Sequence, residues 1–355
     1  MRMSRAAFAR FRSEERGAVL MIVALCLLIL LGMLVLTVDL GRGVAYKRQL
    51  VTGADAAALA AAQQCALGNG TSAARTAGMD VLAQNVDLGG LGAIFDMPEC
   101  DTPSGLNLKT VTVVASADID YYFAPIFGIS SGDVAARAVA VWGAVAEENP
   151  IPITVDQVQL NSCGIYPNNP PKTPPPIPCP LEYPRDTLEQ PRWGVLDLEN
   201  WGDANAAPCS VDANSLREII EAGGWSQDLD LNGDPPGTAS TMDCLDNGLS
   251  FSVWDFMVGR TLTFPVIDIQ TSTGTIVPGG GGEACTGADI PKLQEIGKDC
   301  EIDTANIIAF VVLHVNDVVN DGSTVRVDTT FEITTGGGIP GGGVDFGDRA
   351  IRLVE

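Results

Sequence analysis

The sequence predicts an α+β protein in three parts: an N-terminal transmembrane helix that continues into an exported helix, a small antiparallel sheet unit, and a second, disulfide-stapled, mainly-β domain. Three observations support this prediction. An uncharged run near the N-terminus is long enough to cross a bilayer, an alanine-rich segment follows it, and the remainder of the 355-residue chain combines strand-like alternation with cysteines.

The uncharged run extends from Ala18 to Val38, and 14 of its 21 residues are Leu, Ile or Val. As a helix it would span about 31 Å, the thickness of the hydrocarbon core of a bilayer. A cleaved signal peptide would have an apolar region of about 7–15 residues and a small-x-small site close behind it. Here Asp39-Leu40-Gly41-Arg42 follows directly. We therefore expect an uncleaved anchor.

The positive charges predict the orientation of this anchor. Five arginines precede the run, whereas three basic residues follow it closely: Arg2, Arg5, Arg10, Arg12 and Arg16 before it, and Arg42, Lys47 and Arg48 after it. Because basic residues favour the cytoplasmic side, the predicted location is the cell membrane, single-pass, with a cytoplasmic N-terminus and an exported C-terminal region.

The charge balance excludes one class of partner. The chain carries 21 Lys and Arg against 44 Asp and Glu, a net charge of −23. Five Arg and two Glu lie before the apolar run, so the part after it has a net charge of −26. Such a surface repels nucleic acid but can attract cations, and we expect no nucleic-acid partner.

Cysteine usage agrees with export. Cys26 lies inside the apolar run, and eight other cysteines follow it. An even number in an exported chain predicts disulfides, and the absence of C-x-x-C argues against a zinc ribbon. Eight cysteines allow 105 connectivities, but these fall along the chain as four local pairs. The predicted disulfides are Cys65–Cys100, Cys163–Cys179, Cys209–Cys244 and Cys285–Cys300.

The alanine-rich segment predicts one nearly continuous helix from Ala18 to about Gln64. Gly41 and Gly43 oppose this, since each costs about 1 kcal/mol relative to Ala in a helix interior. Gly53, Ala57 and Ala61 recur at i+4 spacing and would form a helix-packing face. The alternative is an alanine-rich helix that is simply exposed. A second helix is predicted over residues 73–86.

Strand chemistry begins at Lys109. Residues 110–114 and 119–123 are β-rich, and residues 134–142 alternate. Residues 147–191 contain most of the prolines, and a helix or central strand is not expected there. We predict a semi-rigid spacer or an irregular loop.

Four elements are predicted for the second domain. Ser215-x-x-Glu218 and a Gly-Gly pair bound a short helix at residues 214–222. Residues 261–269 form a strand, placed at a sheet edge because of Pro265. Residues 307–315 and 324–333 form two further strands, joined as a hairpin through Asn320-Asp-Gly-Ser.

Few residues suggest chemistry. The chain has one histidine, His314, on a predicted core strand, and it lacks G-x-S-x-G, H-E-x-x-H and S-x-x-K motifs. No catalytic site is therefore expected. The stretch "DLDLNGD" resembles the first half of a calcium loop, with Asp228, Asp230, Asn232 and Asp234 as ligands. Its twelfth position is Ala239 rather than Glu. A weak calcium site and a solvated acidic turn both remain open.

Residues 15–63 resemble a known family. Glu15-Arg16-Gly17, Val38 to Arg42, Lys47-Arg48-Gln49 and Ala54 to Ala60 are similar to the N-terminal domain of Tad-type, TadE/TadG-like Flp pilus assembly proteins. Pilin-like members are cut after a Gly that is followed by Glu at the fifth mature position, which here is Ile22. The resemblance is therefore to the TadG-like anchored component, without a cofactor, and implies the membrane and other pilus assembly proteins as partners.

The leading hypothesis is a structural or assembly role in Tad/Flp pilus biogenesis. The alternatives are a membrane-anchored surface adhesin or weak calcium-binding module and, third, a surface hydrolase. The oligomeric state is left open. The predicted segments are a cytoplasmic segment (1–17), a transmembrane helix (18–38), a pilin-like helix with an antiparallel sheet (39–146), a Pro-rich linker or loop (147–191), a second mainly-β domain (192–335) and a Gly-rich tail (336–355).

Overall fold

The structure is a computed structural model. It describes residues 6–100, 108–171, 177–184, 195–196, 213–224, 229–231, 238–242, 252–277, 283–320, 324–331, 333–336, 338–341 and 344–354.

Helices make up the first quarter of the chain and recur as short elements later. They are α1 (Ala6–Ala66), α2 (Gly70–Asn85), α3 (Gln157–Ser162), α4 (Ala213–Ala222), α5 (Ser252–Asp255) and α6 (Ile290–Glu295). α1 is one continuous helix of 61 residues and passes through both Gly41 and Gly43. The predicted continuity is therefore observed. A β-carbon placed at Gly41 would meet nothing within 4 Å, so packing does not require glycine there.

Sixteen strands are described. They are β1 (Gly92–Asp96), β2 (Lys109–Asp120), β3 (Ser131–Glu148), β4 (Val155–Asp156), β5 (Ile177–Pro184), β6 (Val195–Leu196), β7 (Leu229–Asp230), β8 (Thr238–Met242), β9 (Thr261–Ile267), β10 (Thr273–Val277), β11 (Ala284–Thr286), β12 (Asp299–Asn320), β13 (Thr324–Phe331), β14 (Thr334–Gly336), β15 (Ile339–Pro340) and β16 (Asp348–Val354).

The strands form two sheets. The first has the order β1-β2-β3-β16-β14, with β7 and β15 also paired to β3. β16 runs antiparallel to β3, from Arg349 opposite Ala144 to Val354 opposite Val139. Strands that are more than 200 residues apart in the sequence are thus neighbours in this sheet.

The second sheet is built around the 22-residue strand β12. Its main order is β11-β10-β12-β13-β5, and β12 also pairs with β8 and β9. β12 and β13 form the predicted hairpin, with Asn320 opposite Val325. The side chains of β13 alternate between the two faces of the sheet, since Val325, Val327 and Phe331 are buried and Arg326 is exposed.

The chain divides into two compact units. Unit 1 comprises residues 1–57, 79–95 and 113–138, and unit 2 comprises residues 58–78, 96–112 and 139–355. The largest core of unit 2 joins residues of β5, β9, β12 and β13 to α4 and α5. The mixed helix and sheet content agrees with the α+β prediction. The segment boundaries expected from the sequence stay a prediction.

Several predicted elements differ from the structure. Residues 110–120 belong to one strand, and a 3-10 turn over Ala124–Phe127 follows instead of a second strand. β9 is not a plain edge strand, because β12 pairs with one side of it and the two-residue β4 with the other. Pro265 is tolerated there because β4 pairs only with the two residues that follow it.

The Pro-rich segment is also more ordered than expected. It contains α3 and β5, and the side-chain amide of Gln159 bonds both the backbone N–H and the carbonyl of Glu182, at 3.1 and 2.9 Å. β5 pairs with β13 from Ile177 to Pro184. Prolines are compatible with this strand because, among the strands that the structure describes, it pairs with β13 alone.

Candidate functional site

The most specific polar contacts of unit 1 lie where the apolar run of α1 ends. The Asp39 carboxylate accepts three backbone hydrogen bonds from the turn after β2: Tyr122 N–H at 2.9 Å, Phe123 N–H at 3.0 Å and Ala124 N–H at 2.7 Å. These amides begin the 3-10 turn, whose own N-cap residue offers no side-chain bond. Asp39 therefore supplies the acceptors that this turn requires.

Arg42 lies one helical turn after Asp39 on α1 and also contacts the end of β2 and the residues that follow it. Its guanidinium donates to the Asp120 carbonyl at 3.2 Å and to the Tyr46 hydroxyl at 2.7 Å. It also lies 3.7 Å from the centre of the Tyr122 ring, a cation–π geometry. Asp39, Arg42 and Tyr46 of α1, together with residues 120–124, are called the Asp39 junction below.

The electrostatics of the junction favour a charged Asp39. Desolvation of the carboxyl acts to raise its pKa, but the three backbone N–H donors and the nearby Arg42 outweigh this effect. The pKa of Asp39 is therefore lowered below its usual value of 3.8. Asp39 is an anion at neutral pH, and its hydrogen bonds are of the strong, charge-assisted kind.

Two further side chains of α1 bond to backbone carbonyls in unit 1. The Lys47 ammonium donates to the Ala135 carbonyl of β3, and Gln49 Nε2 donates to the Asn85 carbonyl at 3.1 Å. The basic and glutamine residues that follow the apolar run thus bind α1 to β3 and to the end of α2. Lys47 enters the charge argument for orientation, and both residues enter the family resemblance, but neither pattern predicts these contacts.

The small-residue face predicted on α1 is buried. A β-carbon at Gly53 would lie 2.4 Å from Val86 Cγ2 and 3.2 Å from Leu82 Cδ1, so α2 approaches α1 closely at this point. Ala57 and Ala61 are both fully buried. These three positions are buried, and the role of the whole face in helix packing stays a prediction.

Three of the four predicted disulfides are present. They join Cys65 to Cys100, Cys163 to Cys179 and Cys285 to Cys300. The predicted pair Cys209–Cys244 lies outside the described residues. Cys26 is free and exposed on the apolar part of α1. Cys65–Cys100 ties the end of α1 to the segment after β1, and Cys163–Cys179 ties α3 to β5.

The predicted calcium ligands are mostly outside the described residues. Asp228, Asn232 and Asp234 fall there, and for Asp230 the structure gives only the backbone, in the short strand β7 opposite Glu147. Among the side chains that the structure describes, no group of three or more His, Cys, Asp or Glu is placed to hold a metal ion. The calcium site thus stays a prediction.

His314 lies on β12, as its sequence context predicted. Its ring Nδ1 is 3.0 Å from the Thr261 hydroxyl of β9, and the two residues are paired across the sheet. This contact accounts for one ring nitrogen and is the kind of hydrogen bond that a structural histidine makes.

Unit 2 contains a buried ion pair that the sequence analysis missed. Arg349 and Asp345 are almost fully buried and joined at 2.8 Å, and Arg349 also donates to the Ala66 carbonyl at the end of α1. Their neighbour Asp348 is buried too, and desolvation, with the Glu148 and Asp345 carboxylates, raises its pKa to about 7. The i,i+4 spacing of Asp345 and Arg349 did not reveal the pair, because this spacing brings side chains together in a helix and the segment is not helical.

One helix among the described residues is long and apolar enough to cross a membrane, and it is α1. No part of its apolar stretch is buried in the structure. Side chains such as Leu20, Met21 and Leu28 are each about 70% exposed, at 73%, 76% and 68%.

Comparison with known families gives two overlapping matches. Residues 17–64 match the model of TadE/G-like Flp pilus-assembly proteins, and residues 44–140 match the model of Tad-like Flp pilus-assembly proteins. The resemblance predicted from residues 15–63 is thereby confirmed, and similarity extends through β2 and most of β3. No curated protein matches the chain, and no solved structure does.

Proposed function

We propose that the chain is a membrane-anchored, TadG-like component of Tad/Flp pilus biogenesis with a structural or assembly role. The observation that carries this proposal is the pair of matches to pilus-assembly families across residues 17–140. These matches include every residue of the Asp39 junction, so the part of the chain that resembles the family is also the part that joins α1 to the sheet.

The exposed apolar side chains of α1 support the membrane anchor. From Val19 to Leu34 every described side chain is exposed, and most are Leu, Ile, Val or Met. A contiguous apolar surface of this size must be covered by lipid or by other apolar chains. The 21-residue uncharged run matches the thickness of a bilayer, which favours lipid.

The proposed topology is single-pass, with the N-terminus in the cytoplasm and the remainder exported. The arginine excess before the apolar run and the three disulfides after it both favour this orientation. The exported part would then act with other pilus assembly proteins as its partners. Its strongly acidic surface keeps it soluble outside the membrane.

A topology assay combined with a piliation assay tests this proposal. A reporter that is active only outside the cytoplasm, fused after Glu355, should be active. Deletion of the gene should reduce the number of pili, and the full chain should restore them, whereas a chain without residues 18–38 should not. Cytoplasmic reporter activity would overturn the topology, and normal piliation in the deletion strain would overturn the assembly role.

Calcium binding is proposed only as an accessory property of the exported part. The alternation of oxygen-bearing residues from Asp228 to Asp234 supports it, and the missing Glu at the twelfth position makes the expected affinity weak. Isothermal titration of the full chain in detergent with Ca²⁺, compared with a D228N/D230N variant, is the test. Equal heats from both chains would contradict a site at this motif.

A further inference from the structure

An ordered apolar loop follows β2. Residues 121–129, "YYFAPIFGI", are called the apolar loop, and three of their large side chains are well exposed: Tyr122 at 68%, Ile126 at 78% and Ile129 at 55%. Single exposed apolar residues are common on protein surfaces, whereas here three such side chains lie within eight residues on one short loop.

The backbone of the apolar loop is closed on itself. Tyr121 N–H donates to the Ser130 carbonyl at 3.0 Å, and Ile129 N–H donates to the Ala124 carbonyl at 3.3 Å. Gly128 ends the 3-10 turn with φ of 84°, a left-handed conformation that favours glycine. The exposed side chains are therefore presented by a defined turn.

The Asp39 junction fixes the level of this loop along α1. Asp39 is the first residue after the uncharged run, and its carboxylate accepts bonds from the loop amides of Tyr122, Phe123 and Ala124 within 3.0 Å. If α1 crosses a bilayer over residues 18–38, Asp39 enters the headgroup layer, which is roughly 5–8 Å thick on each side. The apolar loop then lies at the same depth.

We propose that the apolar loop inserts its exposed side chains, Tyr122, Ile126 and Ile129, into the lipid–water interface of the membrane that α1 crosses. This inference rests on the proposed anchoring of α1. The loop would be a second membrane contact and would restrict the tilt and rotation of unit 1 at the membrane surface.

The side-chain chemistry fits the interface. Aromatic rings are enriched at headgroup level, where one end of the side chain meets hydrocarbon and the other meets water. The Arg42 guanidinium stacks on the Tyr122 ring at 3.7 Å, and arginines near the ends of membrane helices direct their charge to the headgroups.

The expected contact is apolar rather than electrostatic. Arg42 contacts the apolar loop, whereas Asp39 below it and the exposed Asp118 and Asp120 at the end of β2 are acidic. Because the surroundings of the loop carry no excess of positive charge, insertion should not require anionic lipid and should change little with salt concentration.

Tryptophan quenching by brominated lipid tests the inference. The full chain is reconstituted into phosphatidylcholine vesicles with bromine on the acyl chains near the headgroup. Three variants are compared with the parent chain, whose five native tryptophans supply the background. I126W probes the apolar loop, L34W probes the apolar run, and V51W is the matched control on α1, roughly 18 Å beyond Asp39 along the helix.

We expect bromine to remove most of the emission added by I126W and by L34W, and little of that added by V51W. If bromine quenches L34W but not I126W, the inference is wrong and the membrane anchor still stands. This conclusion holds even if a covering protein shifts the emission of I126W to the blue. An unquenched L34W would overturn the anchor itself. Equal quenching of V51W would show that I126W does not report a contact specific to the loop. I129W provides a second probe should I126W fail to fold.

Discussion

Asp39 shows how a single side chain can connect two segments that are far apart in the sequence. A carboxylate directly after a long apolar run would be costly at a membrane boundary unless its charge is satisfied. Three backbone N–H groups donate hydrogen bonds to the Asp39 carboxylate, and the neighbouring Arg42 carries the opposite charge. The sequence contained the signal, an acid at the boundary of the apolar run, but the donors lie more than 80 residues away and could not be identified from the sequence.

Replacing Asp39 by alanine should loosen the turn after β2. The amides of Tyr122, Phe123 and Ala124 would lose their acceptor, and their hydrogen exchange should accelerate by about tenfold or more. Hydrogen exchange of the full chain in detergent measures this. D120A is the control, because the Asp120 side chain is exposed and only its backbone carbonyl bonds to Arg42. Equal protection of these amides in D39A and the parent chain would contradict the role given to the carboxylate.

Asp348 should make stability fall as the pH rises towards 7. Its pKa is raised from 3.8 to about 7 by desolvation and by the neighbouring carboxylates of Glu148 and Asp345. The folded state therefore keeps a proton that the unfolded state releases near pH 4. Below about pH 4 the group contributes its full stabilisation to the folded state. As the pH rises from there through the folded-state pKa, this stabilisation is lost, at about 1.4 kcal/mol of unfolding free energy for each pH unit between the two pKa values.

A D348N variant tests this prediction. The asparagine side chain is uncharged at every pH. The difference between the urea midpoints of the variant and the parent chain (variant minus parent) should therefore be larger at pH 8 than at pH 5. Urea unfolding of both chains in detergent at the two pH values measures the difference. D133N is the control, because Asp133 is exposed on β3 and its removal should leave the pH dependence unchanged. A parallel pH dependence in D348N and the parent chain would be evidence against the prediction.

Helices were the elements that the sequence predicted best. The continuity of α1, the existence of α2 and the end of α4 follow from local patterns, namely composition and terminal glycines. The predicted capping box is wrong, because α4 begins at Ala213 and Ser215 lies inside it. The helix-packing face of α1 was left open between packing and exposure. Small residues at i+4 spacing are compatible with both states, and only the position of Leu82 and Val86 distinguishes them.

Bulky substitutions on the packed face should destabilise the protein. G53L would place its side chain against Val86 and Leu82, and A57L would overpack a fully buried position. Each should lower the free energy of unfolding by about 1–3 kcal/mol. T52L is the matched control, since Thr52 is exposed on the same turn of α1. Thermal or urea unfolding of the variants in detergent is the measurement, and stabilities equal to that of T52L would show that the face is not packed.

Strands were predicted less well than helices, for a physical reason. The hairpin of β12 and β13 is local, and its alternation and turn residues identify it. In contrast, β5 was hidden by prolines, and β14, β15 and β16 were hidden by glycines. β5 pairs with β13, and β15 and β16 pair with β3, in each case far away in the sequence, and such long-range pairing has no local signature. β14 in turn pairs with β16.

At the scale of the molecule, the end of the described chain is part of a sheet rather than a tail. β16 pairs with β3 over six residue pairs, and Phe346, Arg349 and Ala350 beside or within it are buried. The Arg349–Asp345 pair is buried as well, and removing either partner alone would leave an uncompensated charge. Residues 337–355 are therefore expected to be required for the folding of unit 2.

Truncation after Gly336 tests whether residues 337–355 are required for folding or form only the Gly-rich tail that the sequence predicted. Deletion removes β16, exposes the edge of β3 from residue 139 to residue 144 and uncovers Trp142, whose ring lies 5.7 Å from the Arg349 guanidinium. We expect the truncated chain to be degraded by low concentrations of protease that leave the parent chain intact, and to lose its cooperative thermal transition. Removal of Val354 and Glu355 alone is the control, because Val354 is 47% exposed and should be dispensable. If the chain that ends at Gly336 resists protease as the parent does, the final strand is an addition to the sheet and not a condition for its formation.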